Sequence, residues 1–239
     1  MPDTRRHRGP DPRDDEAFGP ASWPALRGAV ADLSWLLGKG YAMVSALKLV
    51  GDRWSLTERQ RLAVRRCACG DEARERRLRH EVPADQLRGQ ALVVDGFNVL
   101  TTVEAALGGA VILVGRDRCF RDLAGVHGTY RNVEETRPSL ALIGASLATL
   151  RVSRVLWLLD SPVSNSGRLK NVLLDEAGAR GWDWSVELVL NPDPALADSL
   201  EIVATADSAV LDRCQRWFGL TRRLIEEHVP TARCVDLSA

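Results

Sequence analysis

Leu92-Val93-Val94-Asp95-Gly96-Phe97-Asn98 is the stretch that decides the fold: a short apolar run stopped by an aspartate, a glycine and an asparagine. The same ending recurs in Val155-Leu156-Trp157-Leu158-Leu159-Asp160 and in Ile202-Val203-Ala204-Thr205-Ala206-Asp207. Short runs rich in Val, Leu and Ile, separated by helix-length segments, predict buried strands of a parallel sheet. All strand C-termini of such a sheet lie along one edge, where ligands bind in open α/β folds. Three carboxylates delivered there can share a divalent cation. Each aspartate also has a plainer use, because Asp starts turns and caps helices, and Asp207 can cap a helix opening at Ser208.

Outward from these runs, apolar segments near 110–114, 185–190 and 233–237 predict further strands. Helix composition fills 138–150, 168–179 and 208–218, while 115–137 has no clear period and reads as an ordered loop over the site. The expected fold is α/β, a three-layer sandwich with a mostly parallel sheet over 89–239. A small all-helical domain over 21–88 precedes it, large enough for a core of its own but leaning on its neighbour. There Trp23, Leu26, Val30, Leu33 and Leu37 form one apolar stripe, and Thr57 can cap a helix running to about Cys67. Residues 71–88 are strongly charged and read as a solvated helix or linker, and 1–20 as a flexible tail.

Thirty-two basic residues balance 32 acidic ones, so no global attraction to nucleic acid or membrane follows. The balance is uneven along the chain: 1–90 carry 17 Lys/Arg against 13 Asp/Glu, a net of +4, and 91–239 carry 15 against 19, a net of −4. No stretch has the roughly 18–20 apolar residues of a membrane span, and the polar start lacks a signal core. Five scattered cysteines suit reduced thiols, so a cytoplasmic protein without a membrane partner is expected, with a homo-oligomer left open.

Asp95-Gly96-Phe97-Asn98-Val99-Leu100 resembles the opening of PIN-like and NYN-type nucleases, in which a strand ends in Asp-Gly-aromatic-Asn. Ala204-Thr205-Ala206-Asp207-Ser208 is similar to their later Thr-x-Asp motif. The likeness covers about 90–237. It implies metal-binding roles for Asp95 and Asp207, an active-site polar role for Asn98, and an acid at Asp198 upstream of the second motif. The glutamate that these nucleases place on an early helix has no matching position, Glu104, Glu134 and Glu135 being the available acids. The whole chain also resembles the uncharacterised domain-of-unknown-function family 434, around Leu56-Thr57-Glu58-Arg59-Gln60-Arg61 and Asp160-Ser161-Pro162-Val163-Ser164-Asn165-Ser166-Gly167.

Asp95, Asp160, Asp198 and Asp207 are therefore the expected ligands of Mg²⁺ or Mn²⁺, with Asp193, Asp117 and Asp122 as further acids after strands. Such a cation lowers the pKa of water and stabilises charge on phosphoryl oxygens, as phosphodiester hydrolysis requires. The loop after Asp160 offers Ser161, Ser164, Asn165, Ser166, Gly167 and Arg168 as a phosphate cradle at a helix start, or else as a capped turn. Cys67, Cys69 and His80 are too few for a structural zinc site. Arg59, Arg61, Arg65 and Arg66 form either a phosphate-binding face or a solvated one, and His127 could reach the site from its loop. Together these predict a metal-dependent phosphodiesterase with catalytic Asp95, Asn98, Asp160 and Asp207, acting on RNA. The alternatives are a non-catalytic RNA- or nucleotide-binding module and an aspartyl-phosphate enzyme, and Phe97 stands where the latter needs a second acid.

Overall fold

The computed structural model describes residues 6–124 and 130–238. It opens with five helices: α1 (Asp14–Phe18), α2 (Trp23–Gly38), α3 (Met43–Arg53), α4 (Glu58–Cys67) and α5 (Asp71–His80). Leu26, Val30 and Leu33 recur on one side of α2 and are fully buried. A capping box starts α4, in which Thr57 Oγ1 accepts from the Gln60 N–H at 3.3 Å and Gln60 Oε1 accepts from the Thr57 N–H at 3.0 Å. The charged stretch 71–88 is not one element, because α5 stops at His80 and a 3₁₀ turn occupies Ala84–Leu87.

The rest of the chain runs β1 (Ala91–Asp95), α6 (Gly96–Leu107), β2 (Val111–Val114), β3 (Phe120–Asp122), α7 (Thr136–Thr149), β4 (Arg154–Asp160) and α8 (Ser166–Arg180). It continues through β5 (Trp184–Val189), α9 (Pro192–Ala197), β6 (Ile202–Ala204), α10 (Ser208–Leu211), β7 (Trp217–Phe218), α11 (Leu220–His228) and β8 (Arg233–Asp236). Five strands form a parallel sheet in the order β5-β4-β1-β6-β7. Alternate residues of β1 serve opposite faces. Leu92 and Val94 pack with Leu100 of α6, Leu140 of α7 and Leu169 of α8, whereas Val93 packs with Leu196 of α9 and Val210 of α10. The sandwich thus has three layers.

Strand order reverses at β1. From β4 the chain steps outward through α8 to β5, then returns through α9 to β6 on the far side of β1. Crossovers of fixed hand that change direction must use opposite faces, so α8 lies on one face and α9 and α10 on the other. The crevice at the C-terminal ends of β4, β1 and β6 is a topological switch point, where open α/β sheets bind ligands.

The structure departs from expectation in three places. The strands at 111–114 and 233–236 do not join the main sheet; with β3 they form a second one, in the order β3-β2-β8. Ile112 on one face meets Ala105 of α6 and Ile225 of α11, while Val111, Leu113 and Val235 on the other share a core with Leu26, Leu33 and Val64. The helical region leans on this second sheet, as a unit so small gains by sharing a core. Residues 6–20 are not a loose tail. Arg8 Nε donates to Glu104 at 2.5 Å, the buried Asp14 carboxylate accepts from Arg59 at 2.5 and 3.1 Å, and Phe18 enters the core. Finally, the helix expected over 208–218 ends at Leu211, because Trp217 and Phe218 point to opposite faces of the main sheet as its edge strand. Among the described residues no helix is long and apolar enough to cross a membrane.

Candidate functional site

Asp95 ends β1 at the centre of the sheet, and α6 begins at the next residue. A Cβ on Gly96 would stand 2.8 Å from the Leu158 carbonyl oxygen and 2.4 Å from Leu159 Cδ2. Only glycine lets α6 start this close to β4. The Asp95 carboxylate, 7% exposed, accepts a hydrogen bond from Thr205 Oγ1 at 2.7 Å. Thr205 Oγ1 in turn accepts from the Asp207 N–H at 3.0 Å.

The residue between them, Ala206, is held through both its N–H and its carbonyl. Asn98, in the first turn of α6, accepts from the Ala206 N–H at 2.8 Å, and Arg121 Nε donates to the Ala206 carbonyl at 2.7 Å. Arg121 is fixed by a bidentate pair with Asp117 at 2.8 and 2.7 Å, and Asp117 also accepts from Arg77 of α5 at 2.5 Å. Asp207 does serve as a cap, accepting from the Ala209 and Val210 N–H groups at 2.7 and 3.2 Å. The plain reading of Asp207 and its place at the strand ends are both true of it.

These elements enclose a cleft of about 360 Å³ at the switch point, lined by Asp95, Asp122, Asp160, Asp193 and Asp207 with Asn98. Of the expected residues, the three strand-ending aspartates and Asn98 are brought together. Burial pushes the Asp95 carboxyl up to about 7; the Thr205 hydrogen bond opposes this, and the charges of Asp207, Asp193 and Asp160 add to it. Burial also raises Asp160 and Asp193, the former further by Asp193 and the latter by Asp207. Asp122 is already engaged: its Oδ2 accepts from Thr101 and Thr102 at 3.2 and 2.9 Å, and Arg66 donates to its backbone carbonyl.

Other expected residues lie elsewhere. Asp198 is outside the cleft, exposed and paired with Arg213 at 3.1 Å. Five residues along a helix turn a side chain by about 140°, so α9 presents Asp193 to the cleft instead. None of Ser161, Ser164, Asn165, Ser166, Gly167 and Arg168 lines the cleft. A turn closed by the Val163 N–H on the Asp160 carbonyl carries this loop to Tyr130, whose carbonyl accepts from Asn165 Nδ2 at 2.9 Å and whose N–H donates to Ser164. The loop is spent on its own fold and on anchoring residue 130.

Glu104 is fully buried on α6, away from the cleft, and accepts from Arg8, Tyr130 and Thr136 at 2.5, 2.5 and 2.6 Å. Glu135 meets His7 at 2.9 Å, and His127 lies outside the described residues. Burial raises the Cys67 and Cys69 thiols to about 12 and 11, and His80 Nδ1 faces the Cys214 carbonyl.

Among the described residues no group of three or more His, Cys, Asp or Glu side chains is gathered to hold a metal ion. The donor chemistry nevertheless fits a hard divalent cation. Mg²⁺ keeps several waters and takes one or two carboxylates, and Asp95 sits among like charges that a cation would offset. Thr205 and Arg121 were not among the expected site residues, whereas Arg65 and Arg66, two of the four α4 arginines read as either a phosphate-binding or a solvated face, line the cleft. Thr205 had a signal, standing two residues before Asp207. Arg121 had none, because β3 is only three residues long.

Residues 84–223 match a family model described as a domain of unknown function, DUF5616, and residues 25–80 match one described as a protein of unknown function, DUF434. The likeness to family 434 is thus placed on the helical region, and the Asp160 loop falls within the other model. The uncharacterized protein MJ0935 of Methanocaldococcus jannaschii is 29% identical over 187 residues, spanning 78% of this chain and 89% of that protein. No solved structure matches the chain. With more than half of its length, and the whole acidic cleft except the α4 arginines, inside the first of these models, the chain belongs to the DUF5616 family.

Proposed function

We propose that the chain is a metal-dependent phosphodiesterase acting on RNA, with Mg²⁺ or Mn²⁺ held at Asp95 and the neighbouring carboxylates Asp160, Asp193 and Asp207. One observation carries this reading: Asp95, Asp160, Asp193 and Asp207 share a cleft at the switch point with the already engaged Asp122, and the buried Asp95 cannot ionise freely among the others. Folding has concentrated like charge where, among the described residues, no ion pair relieves Asp95, and this supports a site for a cation. A bound cation would supply positive charge to the phosphoryl oxygens and lower the pKa of a water. The chain's own residues do the rest. Thr205 orients Asp95, Asn98 and Arg121 hold the Ala206 peptide, and the α10 cap fixes Asp207. In the overall reaction a water oxygen joins phosphorus, the P–O bond to one ribose oxygen breaks, and that oxygen leaves with a proton.

The full chain incubated with single-stranded RNA and Mn²⁺ is expected to cleave it, and Asp95→Asn to abolish cleavage. Undiminished cleavage by that variant would sink the assignment. The second reading, a non-catalytic RNA- or nucleotide-binding module, is favoured by the burial of Glu104 away from the cleft and by the lack of a gathered ligand group among the described residues. RNA binding without Mn²⁺ binding in calorimetry selects it.

A further inference from the structure

The cleft has two sides of opposite charge. The α/β body supplies the carboxylates, whereas α4 of the helical region contributes Arg65 and Arg66 from its last turn. The cleft's three arginines differ in what already holds them. Arg121 is saturated by Asp117 and the Ala206 carbonyl, and Arg66 donates to the Asp122 carbonyl. Arg65 is exposed and, among the described residues, its guanidinium has neither ion pair nor hydrogen bond, although five carboxylates line the same cleft.

The base of that side chain is nonetheless fixed. Ala63, Val64 and Cys67 around it are buried in the core shared with the second sheet, and the capping box sets the start of its helix. A planar cation on a rigid stem, facing acids it does not neutralise, suits a ligand that carries its own negative charge, and guanidinium matches phosphate in a bidentate fork. The cleft's aromatic side chain, Phe97, is only 5% exposed, so no stacking platform for bases lines it among the described residues.

We propose that Arg65 anchors a backbone phosphate of single-stranded RNA at the mouth of the acidic cleft, making one composite site from the helical region and the α/β body. This deepens the phosphodiesterase reading and rests on it. Contact through phosphate, without stacking, makes binding indifferent to base identity.

The test is fluorescence anisotropy of labelled oligouridylate and oligoadenylate with the full chain, in EDTA across a salt series, alongside Mn²⁺-dependent cleavage. Arg65→Ala is expected to bind roughly threefold to tenfold more weakly, with the slope of log affinity against log salt shallower by about one. Arg180→Ala, which removes an exposed arginine of α8 away from the cleft, is the charge control and should match the wild type. Unchanged melting temperatures establish that both variants fold. If Arg65→Ala binds like Arg180→Ala while the wild type still cleaves RNA, the anchor is wrong and the phosphodiesterase reading survives. A wild type that neither binds nor cleaves RNA overturns both. Strong preference for one oligonucleotide overturns the backbone-only mode.

Discussion

Asp95 has a carboxyl raised well above its ordinary range, and the sign of its effect on stability is testable. Its folded-state carboxyl titrates near 7 instead of the ordinary value of 3.8, because burial and three neighbouring acids penalise the charge. A carboxyl raised in the folded state binds its proton more tightly there than in the unfolded chain. The metal-free protein therefore loses stability as pH rises from about 4 to about 7, and the loss is complete above that. Asn at this position keeps an acceptor for Thr205 and never ionises. Asp95→Asn should therefore be more stable than the wild type by roughly 2–4 kcal/mol at pH 8, with the gap closing as pH falls towards 4. Denaturant melts of both proteins across that range decide it. A variant that is less stable at every pH would mean that the carboxylate is compensated in a way the geometry does not contain.

Two short elements hold the site, and each depends on one local feature. The β1–α6 junction depends on the missing side chain of Gly96, since a methyl group would collide with the Leu158 carbonyl of the neighbouring strand. Gly96→Ala should cost about 1–3 kcal/mol by overpacking and weaken both cleavage and Mn²⁺ binding by shifting Asp95, measured by thermal melts and calorimetry. The turn after β6 depends on Arg121, and through Asp117 on Arg77 of α5. Burial pushes the Asp117 carboxyl up, but the Arg121 and Arg77 guanidiniums outweigh it and hold it well below the usual range. A depressed carboxyl contributes stability that is fully present above its unfolded value near 4 and disappears only as pH falls through the folded value. Asp117→Asn leaves the buried Arg121 without its counter-charge and Arg77 with Asp212 as its remaining partner, and should cost about 3–5 kcal/mol at neutral pH. That gap should narrow only in strong acid, which urea melts at pH 7 and pH 3 will show.

The two regions matched by separate family models share one core. The β3-β2-β8 sheet buries one face against α6 and α11 and the other against α2 and α4, so the helical region is a layer of the fold. Deleting residues 1–80 would expose Val111, Leu113, Val235 and Leu237 to water, and the remaining chain is expected to be insoluble or to lose its single melting transition; a soluble fragment with a sharp transition would disprove the shared core. The main sheet was legible in sequence because buried parallel strands are continuous apolar runs, and the runs at Leu92, Val155 and Ile202 needed no partner to be recognised. The gathering of Asp95, Asp160, Asp207 and Asn98 followed from that reading, since parallel strands deliver their last residues to one edge. Tertiary structure alone decided the rest. Whether Asp193 or Asp198 meets the cleft depends on the rotation of α9, and whether the Ser161 loop turns to Tyr130 or to the strand ends depends on contacts far away in sequence. Residue spacing fixes the face of an element and the end of a strand, but not which separate elements meet, and so the arginines of α4 came to line one cleft with the aspartate of β1 only when the chain folded.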